Sequence, residues 1–475
     1  MKKYILTFIA LSTLWSCQTD EQYEDLNRDP KNPTQVDAAF LFTAGTVSLS
    51  DVLQSPNVNI DIFRFVSQYL TATTYLDEPN YVLTYRGIPE EFWSELYRAV
   101  IFDIQNVNQI VQDDTELSEA EISARIGKLE VIEVYSWQLL VDTFGDIPYD
   151  QALKAGEFPL PAYDDAASIY SNLLTRIEAV DAQLAAGQGF TLADPIYQGD
   201  MGKWKKFANS VQLRLAMRLS KVDAATAQAQ AADAVSDGVF TSNDDSATIG
   251  YESSTPNTNP LWEDLVQSGR SDYIVANTIV DQMNALNDPR RSAFFDNNLE
   301  GEYVGGIYGG SNSFSLYTHI GQAFLDPTIP GILLDYSEVE FYLAEAAKRF
   351  NDNDGVAEQH YNAAIEASIL YWGGTDSEVA SYLAQPEVSY DSAKCEEQVG
   401  TQFCIAMFNN PFQGWNVFRK FNLDFFNLPE QTGNPVPLRY TYPVNEQNLN
   451  EANYTAASEA IGGDDQQTAI FWDVD

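Results

Sequence analysis

The side chains best suited to chemistry lie in an early loop between Thr71 and Pro89. This loop combines tyrosines with short polar and charged groups, and its candidate binding residues are Tyr75, Asp77, Asn80, Tyr81, Tyr85 and Arg86. A sugar presents C–H bonds on each ring face and hydroxyl groups around its edge, so a sugar site needs flat aromatic surface and short hydrogen-bonding arms. The loop therefore predicts a carbohydrate-binding platform. The alternative is that its tyrosines pack the loop onto neighbouring helices.

Later loops supply further candidates. Trp262, Arg270 and Tyr273 lie in or beside a stretch rich in Gly, Ser and Asn. Arg270 can make paired hydrogen bonds to hydroxyl groups or to the carboxylate of an acidic sugar. The alternative is an ion pair between Arg270 and Asp272 or another of the many acidic residues. A glycine-rich loop adds Tyr308, in the company of Tyr303, Phe314 and Tyr317.

Charge and composition exclude several classes of function. The chain has 475 residues, with 26 Lys and Arg against 69 Asp and Glu, which gives a formal net charge of -43. Such a surface repels phosphate backbones and anionic lipid headgroups, so nucleic-acid binding and polybasic membrane docking are excluded. Only His319 and His360 could serve histidine chemistry, and neither has a convincing ligand partner, so no metal, cofactor or catalytic residue is predicted. Carboxylate pairs are too abundant to identify a hydrolase.

The N-terminus has the features of an export signal. Lys2 and Lys3 precede an apolar stretch over residues 4–15, which is too short to span a bilayer and is followed by Ser16 and Cys17. We expect a signal peptide over residues 1–16, lipidation of Cys17 and an acidic tether over residues 17–35. The alternatives for Cys17 are an incidental cysteine after a secretory signal or a buried free thiol. Stable anchoring requires the several acyl chains that a lipoprotein cysteine carries.

Two further cysteines remain, Cys395 and Cys404, nine positions apart. In an exported protein an even pair of this kind predicts a local disulfide, provided that the Cα separation permits it. A metal site would need further ligands, and none cluster there in the sequence.

Helical periodicity dominates the rest of the chain and predicts a mainly α fold with little β structure. Apolar stripes predict helices over about 92–111, 118–144, 166–186, 204–221, 337–350 and 356–372, with capping boxes at Ser118–Glu121 and Ser337–Glu340. The last two helices flank Asn351–Gly355, which lacks the spacing of a calcium loop and is expected to be a turn. Such pairs resemble tetratricopeptide hairpins. Trp137, Trp204 and Trp372 are expected in the core.

Long irregular stretches separate the helical blocks, over residues 71–89, 243–272, 295–330 and 428–442. Loops of this length within a compact domain usually carry function. A rigid helical scaffold with long aromatic loops favours binding over catalysis. We expect residues 36–475 to form one domain.

Several segments, in order along the chain, resemble the SusD/RagB family of nutrient-binding outer-membrane lipoproteins. The segments are Asp142–Tyr149, Trp204–Ser220, Ser268–Tyr273 with Asn287–Arg290, Asp335–Ala347 and Arg439–Asn445. The segment Gln18–Asp25 is similar to the surface-export signal of Bacteroidetes lipoproteins. The ordered set is more specific than any one motif.

The resemblance implies a SusD-like helical body, with tetratricopeptide-like hairpins, anchored by lipid at the extracellular face of the outer membrane. It would capture a glycan or similar nutrient and act as the lid of a SusC-like TonB-dependent transporter, with no reaction implied. Two alternatives remain open on the residues alone. One is a surface glycoside hydrolase, and the other is a surface lipoprotein that binds peptides or proteins.

Overall fold

The computed structural model describes residues 36–83 and 85–474, and most of its regular structure is helical. The signal peptide, the lipidation site Cys17 and the acidic tether predicted for residues 1–35 lie outside the described residues. The α-helices are α1 Ala38–Gln54, α2 Phe63–Val66, α3 Ile88–Ser94, α4 Phe102–Asp113, α5 Glu119–Phe144, α6 Ala166–Leu184, α7 Met201–Arg218, α8 Ala224–Asp237, α9 Pro260–Trp262, α10 Asn277–Ala285, α11 Arg291–Phe294, α12 Tyr336–Asn351, α13 Asp354–Tyr371, α14 Asp376–Leu383, α15 Cys395–Ala406, α16 Pro411–Phe421, α17 Val444–Leu449 and α18 Glu451–Ala460. Over the described ranges, no helix combines the length and apolar character needed to cross a lipid bilayer.

Shorter elements complete the secondary structure. Two π-helical segments, Glu95–Ile101 and Glu263–Gln267, directly continue α3 and α9. Turns of 3-10 helix lie at Leu219–Lys221, Asn243–Asp245, Phe314–Leu316, Gln322–Leu325, Ser392–Lys394 and Met407–Asn409. The strands are β1 Leu70–Ala72, β2 Ala247–Ile249, β3 Tyr273–Val275 and β4 Gly331–Leu334. They form two small antiparallel pairs, β1 with β3 and β2 with β4.

Helical hairpins form the body of the molecule, as the periodicity predicts. α7 packs on α8 and α12 packs on α13, and each pair is joined by a short connection. The predicted capping box is present at the start of α5, where Glu121 N donates to Ser118 Oγ at 3.3 Å and Ser118 N donates to Glu121 Oε2 at 3.0 Å. The expected interhelical turn is present but shorter than Asn351–Gly355: it consists of Asp352, in the left-handed region, and Asn353, the N-cap of α13.

The second predicted capping box, at Ser337, is wrong. Helix α12 begins at Tyr336, and its cap is Asp335, whose Oδ1 accepts from Glu338 N at 2.8 Å. The pattern Asp335-Tyr-Ser-Glu338 satisfies the same spacing rule two residues earlier, so two registers compete in the sequence. Ser337 instead donates from Oγ to the carbonyl of Ala364 at 2.9 Å and links α12 to α13.

One hydrophobic cluster runs from Ala38 to Trp472 and holds the hairpins together. Trp204 and Trp137 are buried in it, as expected, whereas Trp372 is only half-buried and packs against it. A bidentate ion pair between Arg214 and Glu338, both side chains fully buried, joins α7 to α12 within the core.

The predicted disulfide between Cys395 and Cys404 is wrong. Both thiols are free and buried, and both residues lie in the single helix α15. Nine residues along a helix correspond to about 13 Å of rise, which is far beyond the roughly 7 Å between Cα atoms that a disulfide can bridge. Burial raises the pKa of the Cys404 thiol to about 12. The two cysteines are therefore core residues.

Candidate functional site

Pairing of β1 with β3 brings together two of the loops that the sequence singles out. Leu70, Thr71 and Ala72 pair with Val275, Ile274 and Tyr273 in antiparallel register. Beyond this pair, Thr73 N donates to the carbonyl of Asp272 at 2.8 Å, and Thr74 Oγ1 donates to Asp272 Oδ1 at 2.7 Å. The early tyrosine loop is thus fixed against the loop that carries Arg270.

A cleft of about 140 Å³ opens where the loops meet. We call it the Tyr75 cleft, and its lining residues are Asn57, Val58, Asn59, Tyr75, Arg86, Asp264, Arg270, Asp272 and Tyr273. Four predicted binding residues, Tyr75, Arg86, Arg270 and Tyr273, therefore share one site.

Tyr75 presents the main aromatic surface of this cleft. Its side chain is 54% exposed, and its backbone has a φ of 56° in the left-handed region, which is uncommon for a bulky residue. The guanidinium of Arg86 lies 5.2 Å from the ring centroid and that of Arg270 lies 5.3 Å from it. These cation–π contacts hold the ring in place while leaving half of it accessible.

Both arginines are neutralised by carboxylates. Arg86 donates from Nε to Oε1 of Glu78, whose side chain is fully buried. Arg270 Nε lies 2.5 Å from Asp272 Oδ2, so the ion pair considered as an alternative for Arg270 is present. Burial, together with the nearby carboxylate of Glu263, raises the pKa of Asp264. Guanidinium N–H donors and carboxylate acceptors therefore surround an exposed tyrosine ring, an arrangement that can hydrogen-bond a polyhydroxylated ligand.

A family model described as "Starch-binding associating with outer membrane" matches residues 30–443 of the chain. The chain belongs to the SusD-like family. Solved structures agree: a chitin-binding protein aligns with a TM-score of 0.80 at 25% identity, covering 92% of this chain and 100% of that one. A chitin-binding SusD homologue from Flavobacterium johnsoniae gives a TM-score of 0.79 at 23% identity and covers 92% and 99%. A SusD-like protein from Bacteroides thetaiotaomicron gives 0.77 at 25% identity, with the same coverage. Comparison with curated proteins gave no match.

Three predicted binding residues of this SusD-like chain are buried, so their assignment to ligand binding is wrong. The amide of Asn80 donates to the carbonyls of Leu76 at 2.7 Å and Gly309 at 2.9 Å. Tyr81 is 2% exposed and accepts from Gln68 Nε2 at 2.9 Å. Tyr308 is 1% exposed and donates to the carbonyl of Phe65 at 2.7 Å. These side chains stabilise the loops that form the cleft.

The other predicted residues lie outside the set that lines the Tyr75 cleft. Asp77 is exposed, and its carbonyl accepts from the backbone of Val82 at 2.9 Å. Tyr85 is 77% exposed beside Arg86. Trp262 is half-buried at the end of α9 and lies two positions before Asp264 in the chain. Whether these three contact a ligand stays a prediction.

Sequence reasoning missed the wall of the cleft formed by Asn57, Val58 and Asn59. Asn57 organises that turn, because its Oδ1 accepts from the backbone of Asn59 at 3.0 Å. The signal available in the sequence is Ser-Pro-Asn-Val-Asn after α1, a cluster of turn-forming residues. Within the described residues, no group of three or more His, Cys, Asp or Glu side chains is arranged to hold a metal ion.

Proposed function

We propose that this SusD-like protein captures a glycan at the Tyr75 cleft. The observation that carries the proposal is the exposed Tyr75 ring, held between loops that start about 200 positions apart and flanked by the guanidiniums of Arg86 and Arg270. A sugar ring stacks its C–H face on the tyrosine, and its hydroxyls exchange hydrogen bonds with the arginine N–H groups and with Asp264. Chitin binding by two structural neighbours supports this class of ligand.

The proposed cellular role is delivery of that glycan to a SusC-like TonB-dependent transporter. In this proposal residues 1–16 are removed, Cys17 is lipidated, residues 17–35 form a tether, and residues 36–475 form one domain on the extracellular face of the outer membrane. The family description, which names association with the outer membrane, supports this location. Co-purification of a large barrel protein from outer membranes, lost when Cys17 is replaced by Ala, is the expected result.

We propose binding without turnover. A hydrolase would use a protonated and an ionised carboxyl, and the cleft does contain Asp264, whose pKa is raised, near Asp272. Asp272 is, however, held by Arg270 and Thr74, so it serves as a structural anchor between the two loops. Incubation with starch and chitin oligosaccharides should release no new reducing ends. Turnover that disappears in Asp264→Asn would overturn this proposal in favour of hydrolysis.

The direct test of the site is calorimetric titration with maltose-type and chitin-type oligosaccharides. Tyr75→Ala should weaken binding about tenfold, because a stacked aromatic anchor in a binding site is worth more than about 1 kcal/mol. Phe40→Ala is the matched control, since this aromatic side chain is 70% exposed on α1 and does not line the cleft; its effect on affinity should stay within about twofold. Equal loss in both variants, or binding of peptides in place of glycans, would refute the assignment.

A further inference from the structure

A larger cleft is lined by residues of α3, the helix that follows Arg86 in the chain. It has a volume of about 540 Å³, within the range of small-molecule sites, and shares no lining residue with the Tyr75 cleft. We call it the Trp93 cleft. Its lining combines three aromatic residues with three glutamates, namely Trp93, Tyr97 and Phe102 with Glu90, Glu91 and Glu446.

Aromatic side chains form the floor of the Trp93 cleft. Trp93 is fixed by an edge contact with Phe144, at 5.0 Å between centroids and 84° between planes, and by Tyr97 at 4.9 Å. Trp93 lines the cleft, and its indole N–H makes no hydrogen bond to any of the described residues. Phe102 is 45% exposed at the start of α4. The π-helical segment between α3 and α4 offsets these rings from a regular helical register, a feature often found at functional sites.

The rim of the cleft is negative. Glu90 accepts from the amide of Asn445, and Glu446 Oε2 accepts from Tyr163 Oη at 2.9 Å and from Asn450 Nδ2 at 3.2 Å. Glu91 is exposed on the first turn of α3.

No basic side chain within the described ranges pairs with these three carboxylates. Arg98, the basic residue of the lining, lies 2.6 Å from Glu95. The cleft thus combines aromatic faces with carboxylates that lack a cation.

We propose that the Trp93 cleft is a second ligand site that binds a protonated amino sugar within a glycan. The sugar ring stacks on Trp93, and the ammonium group lies against the tryptophan face and the carboxylates of Glu90, Glu91 and Glu446. A cation is attracted both to an indole face and to the rim charges, whereas an N-acetylated sugar offers neither attraction. This inference goes beyond capture at the Tyr75 cleft, which has its own ligand-binding residues.

The concave shape favours a sugar over a docked peptide. A cleft of this size encloses a small ring, and the free indole N–H offers a donor to a ring hydroxyl. A basic peptide would also place an ammonium group on the indole face, but it has no sugar ring to stack on Trp93 and no hydroxyl groups to accept from the indole N–H. The two ligand classes therefore make different demands on Trp93.

The experiment is calorimetric titration of the protein with a glucosamine tetramer and with its fully N-acetylated counterpart. The double variant Glu90→Gln/Glu91→Gln should bind the glucosamine tetramer about tenfold more weakly than the parent does. The reason is that each exposed charge pair between a carboxylate and the sugar ammonium contributes up to about fivefold in affinity. Binding of the N-acetylated tetramer should not change. The matched control, Glu116→Gln/Glu358→Gln, removes two exposed charges elsewhere and should leave both affinities within about twofold.

Further measurements distinguish an amino-sugar ligand from a basic peptide. Raising the pH through the pKa of the sugar amine should weaken binding of the glucosamine tetramer in the parent, and Tyr75→Ala should leave that binding intact. Trp93→Leu should weaken it by about fivefold more than it weakens binding of a lysine tetrapeptide, because the sugar loses ring stacking and the indole donor whereas the peptide loses only a cation–π contact. Equal loss in the control variant would overturn the site. A lysine tetrapeptide that binds as tightly as the amine tetramer would overturn the sugar assignment in favour of a basic peptide.

Discussion

Replacing Glu338 with Gln should destabilise the protein by about 3 to 5 kcal/mol, because it removes the charge that balances a buried guanidinium. Arg214 donates from Nε to Glu338 Oε1 at 2.7 Å and from Nη2 to Oε2 at 3.0 Å, and neither side chain is exposed. Arg214 Nη2 also donates to the carbonyl of Leu333 at 2.9 Å. The pair therefore joins α7 to both α12 and β4.

The double replacement Arg214→Met/Glu338→Leu should cost only about 1 to 2 kcal/mol, since an apolar pair of similar volume avoids the desolvation of two charges. The carbonyl of Leu333 keeps a donor, because Tyr135 donates to it at 2.6 Å. Tyr342, which donates to Glu338 Oε1 at 2.9 Å, loses its acceptor, at a cost of about 1 kcal/mol.

Urea unfolding followed by far-ultraviolet circular dichroism measures these differences in the free energy of unfolding. Glu358→Gln, at an exposed position on α13, is the control and should lie within about 0.5 kcal/mol of the parent. A loss below about 1 kcal/mol in Glu338→Gln would refute the reasoning. So would a double variant whose loss is as large as the sum for Arg214→Met and Glu338→Leu, because the pair would then show no coupling.

Three further predictions address the cysteines, a close helix contact and a buried carboxyl. Because both thiols are free, a thiol reductant should leave the melting temperature unchanged; a drop would indicate a disulfide. Gly414→Ala on α16 should lower the free energy of unfolding by about 1 to 3 kcal/mol, measured in urea, because its Cβ would lie 2.2 Å from Tyr69 Oη; an unchanged value would contradict this contact. Burial raises the pKa of Asp51 to about 6, against an ordinary value of 3.8, so the ionised carboxylate destabilises the folded state. This destabilisation is absent below about pH 4, grows as the pH rises, and is complete above about pH 6. Urea titrations should therefore show Asp51→Asn gaining up to about 3 kcal/mol on the parent between pH 4 and 7, and parallel curves would exclude the raised pKa.

Local patterns predicted the helical scaffold well because helix signals are local. The stripe from Ile132 to Phe144 and the capping box at Ser118 depend on residues within four positions of one another. The same locality explains the error at Ser337. Both Asp335 and Ser337 are followed by a glutamate three residues later, so the capping-box pattern alone does not distinguish them. The disulfide prediction failed because the pattern of two cysteines was judged without the helix that separates them. That helix has a weak local signal, since it contains Gly400 and the β-branched residues Val399 and Thr401.

The site was predicted only in part, because burial of loop residues depends on distant pairings. Tyr75 and Tyr81 belong to one loop and look alike in sequence, yet Tyr75 is 54% exposed and Tyr81 is 2% exposed. The difference arises where Tyr81 packs against Tyr308, at 5.8 Å between centroids, a contact across more than 200 positions. The meeting of Tyr75 with Arg270 has the same origin, since it requires the pairing of β1 with β3.

The distribution of charge favours a neutral ligand at the Tyr75 cleft. The chain carries a formal charge of -43, so its field repels an acidic glycan at long range. At short range Arg86 is balanced by Glu78 and Arg270 by Asp272, and Asp264 adds a further carboxyl without a cation of its own among the lining residues.

The cleft therefore has no surplus positive charge to offset that repulsion, even though two guanidiniums face it. What the arginines retain is their remaining N–H donors, which suit hydroxyl oxygens, and their hold on the Tyr75 ring. Affinity for a neutral oligosaccharide should then be nearly independent of salt, because screening acts on charges that the ligand does not carry.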